Sequence, residues 1–320
     1  MKRGATVLVG TCAGVRPGER VVIVTDEERL EIAEALRAEA TAVADSTEIV
    51  VSPPRSIDNE EPNAVVSAAM AGADVIFLVV THSLAHTRAT RAAIAGGARV
   101  VSMSAFTPRQ MREGGLFADF RSRKPLCDRL AGALTAAEVA RVTNPAGTDL
   151  RFSLSGRAGN SHACIVDGPG FTAVPNIEAN TSPLEGTTQG RLVVDGSIPY
   201  YGVGIIRDPV TFDIVDGVVR AIEGGEQATF LRELLARQDD PAVYNIAQFA
   251  VGLNPLCTDF TGEMLNDEGV NGTIHIGIGT SANLGGHVQA KTHFDAVIRA
   301  PSVWLDGRTL LRDGELDPGL

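Results

Sequence analysis

Between residues 20 and 103 short β-branched runs alternate with Ala-rich stretches, and this alternation constrains the fold more than any other feature. Residues 20–25 form a β-branched run behind the turn pair Pro17-Gly18. Asp26 stands where an N-cap is expected, followed by an Ala-, Leu- and Glu-rich helix to residue 44. Residues 48–51 read as a second strand and 63–71 as a helix. After Asp74 the chain is continuously apolar to residue 80, as a strand buried on both faces requires. Residues 87–95 read as helix and 98–103 as strand. Strand and helix in turn predict a doubly wound parallel sheet. No G-x-G-x-x-G follows the first strand and no Walker A loop occurs, so the pattern supports no nucleotide cofactor.

Past residue 145 the chain becomes rich in Gly, Asn, Thr and Pro, and its strands shorten. Residues 151–154, 191–194, 210–215 and 218–223 read as strands, the last two joined by Asp216-Gly217, a strong hairpin signal. Residues 227–237 read as helix, and 303–305 with 309–311 flank a second hairpin pair, Asp306-Gly307. The expected organisation is an α/β domain over 1–144, with a doubly wound parallel sheet. A mixed, largely antiparallel α+β domain over 145–320 is expected to carry the metal site.

Composition serves to exclude. Lys and Arg number 28 against 39 Asp and Glu, and the resulting net charge of −11 repels phosphate and argues against nucleic acid as a partner. Hydrophobic residues make up 44% of the chain, enough to build a core and too many for a disordered segment. No apolar run reaches the ~18 residues of a membrane span. The apolar patch near Met1 is short for a secretory leader. Four dispersed cysteines without C-x-x-C spacing suit reduced, buried thiols, so the expected compartment is the cytoplasm.

The histidines point to the chemistry. In Thr292-His293-Phe294-Asp295 the two polar side chains are i and i+2, so a strand turns both to one side. They are read as two metal ligands or as a hydrogen-bonded pair. His275, in the Gly-punctuated strand 272–279, adds a second imidazole, and the set of two imidazoles and one carboxylate suits Zn, Co, Mn or Fe as a divalent ion. Glu178 lies between Pro175 and Pro183 and is read as a ligand or a general base. Gln248 sits in an apolar strand, where a buried amide needs partners, and is read as orienting substrate or a metal-bound water.

Several segments together carry a resemblance: 144–153, Glu178 to Gly186, Gly252-Leu253-Asn254-Pro255, Gly272-Thr273-Ile274-His275-Ile276, Thr292-His293-Phe294-Asp295, and Ser83-Leu84-Ala85-His86-Thr87. In this order they resemble the thermophilic metalloprotease family of the aminopeptidase T and S type, over nearly the whole chain. The resemblance implies metal ligands at Glu178, His275, His293 and Asp295, and a homo-oligomer. Gln248 stands where that family has a second glutamate, and residues 280–282 lack its tyrosine. A single metal follows better than two. The chain is also similar to a second branch of the fold, the 2,5-dihydroxypyridine dioxygenases. Their histidine–histidine–aspartate triad matches at His293 and Asp295 but meets Gln248 at its remaining position, and Thr81-His82-Ser83 resembles a histidine segment of that branch.

The leading expectation is a metal-dependent hydrolase of a C–N bond, amide or lactam, in a small molecule, with metal-activated water as nucleophile. Glu178 serves as general base, His82 and His86 bind or protonate the substrate, and Arg151 holds a carboxylate. The alternative is a non-haem Fe(II) dioxygenase cleaving a hydroxylated aromatic ring. A binding protein with a decayed site is a third reading.

Overall fold

The structure is a computed structural model that describes every residue except His86, Asn283 and Leu320. Two compact units form, residues 1–121 with 163–175 and residues 122–162 with 176–320.

In the first unit β1 (Arg20–Thr25), β2 (Ser46–Val51), β3 (Val75–Val79) and β4 (Arg99–Ser102) pair in parallel. The short strands of 122–162 follow, β5 (Val139–Thr143), β6 (Asp149–Ser153) and β7 (Asn160–His162). The parallel sheet is then completed by β8 (Gly170–Ala173), giving the order β2-β1-β3-β4-β8. Every residue of β3 is buried, which explains its unbroken apolar sequence. Helices Ala64–Ala71 and Arg88–Ala95 start where the Asn63 and Thr87 side chains accept from the backbone N–H three residues on. Met70, Ala93, Ile76, Leu78 and Val100 pack between these helices and the sheet. One local expectation is corrected. Asp26 caps nothing: its carboxylate accepts the Thr81 amide at 2.6 Å, and the next residues make a 3-10 turn before helix Leu30–Ala40. The tertiary partner outcompetes the local one.

The second unit stacks two antiparallel sheets. Its further strands are β9 (Glu178–Thr181), β10 (Gln189–Val194), β11 (Ser197–Ile198), β12 (Gly204–Ile205), β13 (Val210–Val215) and β14 (Val218–Glu223). Next come β15 (Ile246–Gly252), β16 (Ile274–Gly279), β17 (His293–Ile298), β18 (Ser302–Leu305), β19 (Arg308–Arg312) and β20 (Glu315–Leu316). One sheet runs β14-β13-β10-β6-β5-β18-β19-β20, the other β12-β11-β17-β16-β15-β9-β7. Both hairpins expected at Asp-Gly pairs form, with positive φ at Asp216, Gly217, Asp306 and Gly307. Phe152 of β6 meets Phe249 of β15 with ring centroids 5.3 Å apart, so the core lies between the sheets. The mixed α/β architecture expected from the sequence is the one observed. Among the described residues no helix is long and apolar enough to cross a membrane.

Candidate active site

The seven-stranded sheet buries Phe249, Ile276 and Phe294 on its core face, and period-2 alternation assigns the opposite face to polar residues. Register then decides what meets there. Gly277 of β16 lies opposite Gln248 of β15 on one side and Asp295 of β17 on the other. His293 lies opposite Gly279, and Glu178 of β9 opposite Gly252. His275 is two residues from Gly277 and so shares the face. Glycine at 277 is required by space: a Cβ there would come within 2.6 Å of the Gln248 Cβ and 3.0 Å of the Asp295 Oδ1.

The structure therefore brings together Glu178, Gln248, His275, His293 and Asp295. All but His293 are at most 5% exposed. His293 Nε2 stands 3.4 Å and His275 Nε2 3.9 Å from Asp295 Oδ1, and His275 Nε2 is 3.4 Å from Glu178 Oε2. Asp295 Oδ1 is buried and makes no hydrogen bond. Its other oxygen, Oδ2, lies 2.9 Å from the Tyr200 hydroxyl. His293 contacts the Thr280 carbonyl through Nδ1 at 2.8 Å. With Nδ1–H donating there, Nε2 carries the free lone pair, the arrangement that orients a ligating imidazole. His275 Nδ1, by contrast, is buried without a hydrogen-bond partner.

Glu178 begins β9 and is buried. Amide groups donate to both of its oxygens: Asn180 at 2.5 Å and Gln248 at 3.4 Å to Oε1, Asn176 at 2.9 Å to Oε2. Gln248 is thus a donor that holds a carboxylate. With its lone pairs so occupied, the Glu178 carboxyl is fixed in place and has little room to take a substrate proton.

A third carboxyl, Glu268, joins through Tyr200, whose hydroxyl is 2.7 Å from Glu268 Oε1, while Asn176 donates to Oε2 at 3.0 Å. Burial pushes the Glu268 carboxyl well above its ordinary value, and the negative charges of Asp295 and Glu178 push it further. A phenol has one hydrogen and here faces two carboxyls. The Tyr200 hydroxyl therefore shares its one hydrogen between Glu268 Oε1 and Asp295 Oδ2. Burial alone would raise the Asp295 carboxyl, but the His275 and His293 imidazoles hold it far below the usual range. Burial alone would lower His293, and the Asp295 charge outweighs it, so the imidazole is raised above 6.5.

This donor set fits a divalent metal in its chemistry. Two imidazoles and an unbonded buried carboxylate oxygen face one another, within an excess of buried carboxyls that a cation relieves. Among the described residues no three His, Cys, Asp or Glu side chains already converge as a cage. The imidazoles instead face the carboxylates directly, at 3.4 to 3.9 Å.

The remaining expected residues lie elsewhere. Arg151 is not brought to the cluster: it is exposed on β6, between the buried Leu150 and Phe152, on the outer face of the other sheet. His82 belongs to the first unit, where its Nδ1 is 3.6 Å from Asp58. His86 lies outside the described residues. Sequence reasoning missed Asn176, Asn180, Tyr200 and Glu268. Asn180 was findable, two residues from Glu178 in one strand. Tyr200 and Glu268 carry no local signal, since the contacts that place them span 68 and 95 residues.

A family profile described as NicX, 2,5-dihydroxypyridine 5,6-dioxygenase, matches residues 7–318. A 2,5-dihydroxypyridine 5,6-dioxygenase of Pseudomonas putida is 26% identical over 59% of this chain and 57% of its own length. The chain thus spans little more than half of that curated relative in sequence. The solved structure of 2,5-dihydroxypyridine dioxygenase from P. putida KT2440 superposes with a TM-score of 0.85 at 20% identity, covering 98% of this chain and 97% of that one. Wild-type AmpT from Thermus thermophilus superposes with a TM-score of 0.74 at 15% identity, covering 98% of both chains. The two superpositions establish a shared fold. The profile and the sequence relative overturn the expected C–N hydrolase, because both are oxygenases by description. A His–His–carboxylate set serves metal hydrolysis and O₂ chemistry alike, so the ligand types that suggested the hydrolase do not separate the two.

Proposed function

The chain belongs to the 2,5-dihydroxypyridine 5,6-dioxygenase family, and from that premise we propose that it is a non-haem Fe(II) dioxygenase opening a dihydroxylated N-heteroaromatic ring. Supporting this reading is one observation above others: Asp295 Oδ1, buried and without a hydrogen bond, faces the Nε2 atoms of His275 and His293. These three side chains would hold the metal. When bound, Fe(II) supplies the redox chemistry through which O₂ reacts with an electron-rich ring. Both oxygen atoms enter the opened product, so no external reductant is needed.

The chain's own residues prepare that chemistry. The Thr280 carbonyl holds the His293 ring so that Nε2 is presented. Tyr200 occupies one oxygen of Asp295 and leaves the other free. Asn176, Asn180 and Gln248 donate to Glu178 and hold its carboxyl in place beside His275. Burial keeps bulk water from these groups, so their charges act at low dielectric.

The test is oxygen uptake by Fe(II)-loaded protein given 2,5-dihydroxypyridine. About one O₂ consumed per ring opened, lost in His293→Ala, is the expected result. Iron-loaded protein that consumes no O₂ with this or any dihydroxylated pyridine overturns the reaction proposed. A wild-type chain that retains no divalent metal overturns the metal reading beneath it.

A further inference from the structure

The turn between β11 and β12 reaches the H-x-D pair of β17 at two points. Tyr201 contacts the His293 carbonyl oxygen at 3.2 Å through its hydroxyl and stands edge-on to Phe294, ring centroids 6.3 Å apart. Tyr200, its ring tilted 51° to that of Tyr201 with centroids 6.0 Å apart, places its hydroxyl 2.9 Å from Asp295 Oδ2 and 2.7 Å from Glu268 Oε1. The backbone of this turn is left-handed at Tyr201, Gly202 and Gly204, with φ of 56°, 81° and 71°. A bulky residue at positive φ persists only where its surroundings hold it there. One aromatic pair thus grips both the backbone of one candidate ligand and the carboxylate of the other.

We infer that Tyr200 is a positioning residue that decides which oxygen of Asp295 is offered to the metal, an inference that rests on the metal reading above. A carboxylate turns easily about its terminal torsion, where the wells are broad and two-fold. Both Asp295 oxygens are otherwise chemically equal. The Tyr200 hydroxyl breaks the equivalence by binding Oδ2, and Oδ1 is left without a hydrogen bond, facing both imidazoles. Glu268 holds the hydroxyl from its far side, and Asn176 ties Glu268 to Glu178. The chain of contacts runs from Glu178 to Asp295 without passing through the metal position.

The experiment is Co(II) titration of the metal-free protein, followed by its visible absorption, in wild type, Tyr200→Phe, Glu268→Gln and His293→Ala. Tyr200→Phe keeps the ring and removes only the hydroxyl. Its expected Co(II) affinity is about 10- to 100-fold weaker, with a shifted visible band, while circular dichroism shows an intact fold. Glu268→Gln keeps an oxygen that accepts from the Tyr200 hydroxyl, so affinity and band are expected within about threefold of wild type. Wild-type affinity and spectrum in Tyr200→Phe overturn the inference and leave the metal reading intact. If Tyr200→Phe does not fold, a more than tenfold loss in folded Glu268→Gln overturns it as well. Wild type that binds no Co(II), or binds it equally well in His293→Ala, overturns the metal reading itself.

Discussion

At Gly277 a single hydrogen atom stands where any side chain would meet three site groups. A Cβ would approach the His293 Cε1 to 2.9 Å, besides the contacts with Gln248 and Asp295. Gly277→Ala is expected to cost about 1–3 kcal/mol by overpacking. It should also weaken divalent-metal binding at least tenfold, read by urea unfolding and metal titration on one preparation. Gln248 offers the complementary case. Its Nε2 faces Glu178 Oε1 at 3.4 Å and His275 Nε2 at 3.3 Å. Gln248→Glu replaces that donor with a second anion against Glu178. Metal-free Gln248→Glu is expected to unfold at lower urea than wild type, by roughly 1–3 kcal/mol, with most of the loss recovered when a divalent ion is added. A variant equally stable without metal would show that the amide does not hold the carboxylate.

Among the elements, the connection 280–292 between β16 and β17 carries the most leverage, because it joins the strands that carry His275 and His293. It is strapped down from outside. Arg157, 7% exposed, donates to the Gly285 carbonyl at 2.6 Å and pairs with Glu185, whose other oxygen accepts the His287 amide at 2.7 Å. Burial works against the Glu185 charge, but the His287 N–H and the Arg157 guanidinium outweigh it and hold the carboxyl below its ordinary 4.5. A carboxyl lowered in the folded state stabilises at pH above its unfolded value and loses that contribution as pH falls through the folded one. The connection is therefore expected to become protease-sensitive as pH drops below about 4.5. Arg157→Ala should produce the same sensitivity at neutral pH, at a cost of roughly 1–3 kcal/mol for the partner left unpaired. Limited proteolysis with mass mapping of the first cut reads both. A first cut outside 280–292 in each case would remove the strap's role.

For the molecule as a whole, a metal that binds only the folded chain stabilises it by mass action, about 2.7 kcal/mol at one hundred times the dissociation constant. Added divalent ion is thus expected to raise the melting temperature, and a chelator to reverse the shift. Amide exchange should slow most in β15, β16 and β17, which carry Gln248, His275, His293 and Asp295. A uniform slowing, or none in these strands, would place the bound ion elsewhere. The net charge of −11 acts at this scale too, favouring cations over polyanions near the surface.

The sequence by itself determined what depends on neighbours a few residues apart. Alternating runs, turn pairs and period-2 spacing marked the parallel strands, the two Asp-Gly hairpins and the shared face of His293 and Asp295, because propensity and side-chain direction are local properties. Tertiary structure decided the rest. It brought β8 against β4, drew Asp26 from a helix cap to the Thr81 amide, buried Glu178 among three amides, and set Tyr200 and Glu268 against Asp295. It also turned Arg151 outward, away from the cluster that its charge had suggested. Each of these contacts joins segments whose separation along the chain carries no period. They are selected by the free energy of burying and pairing polar groups once the sheets have packed, which no window of the sequence contains.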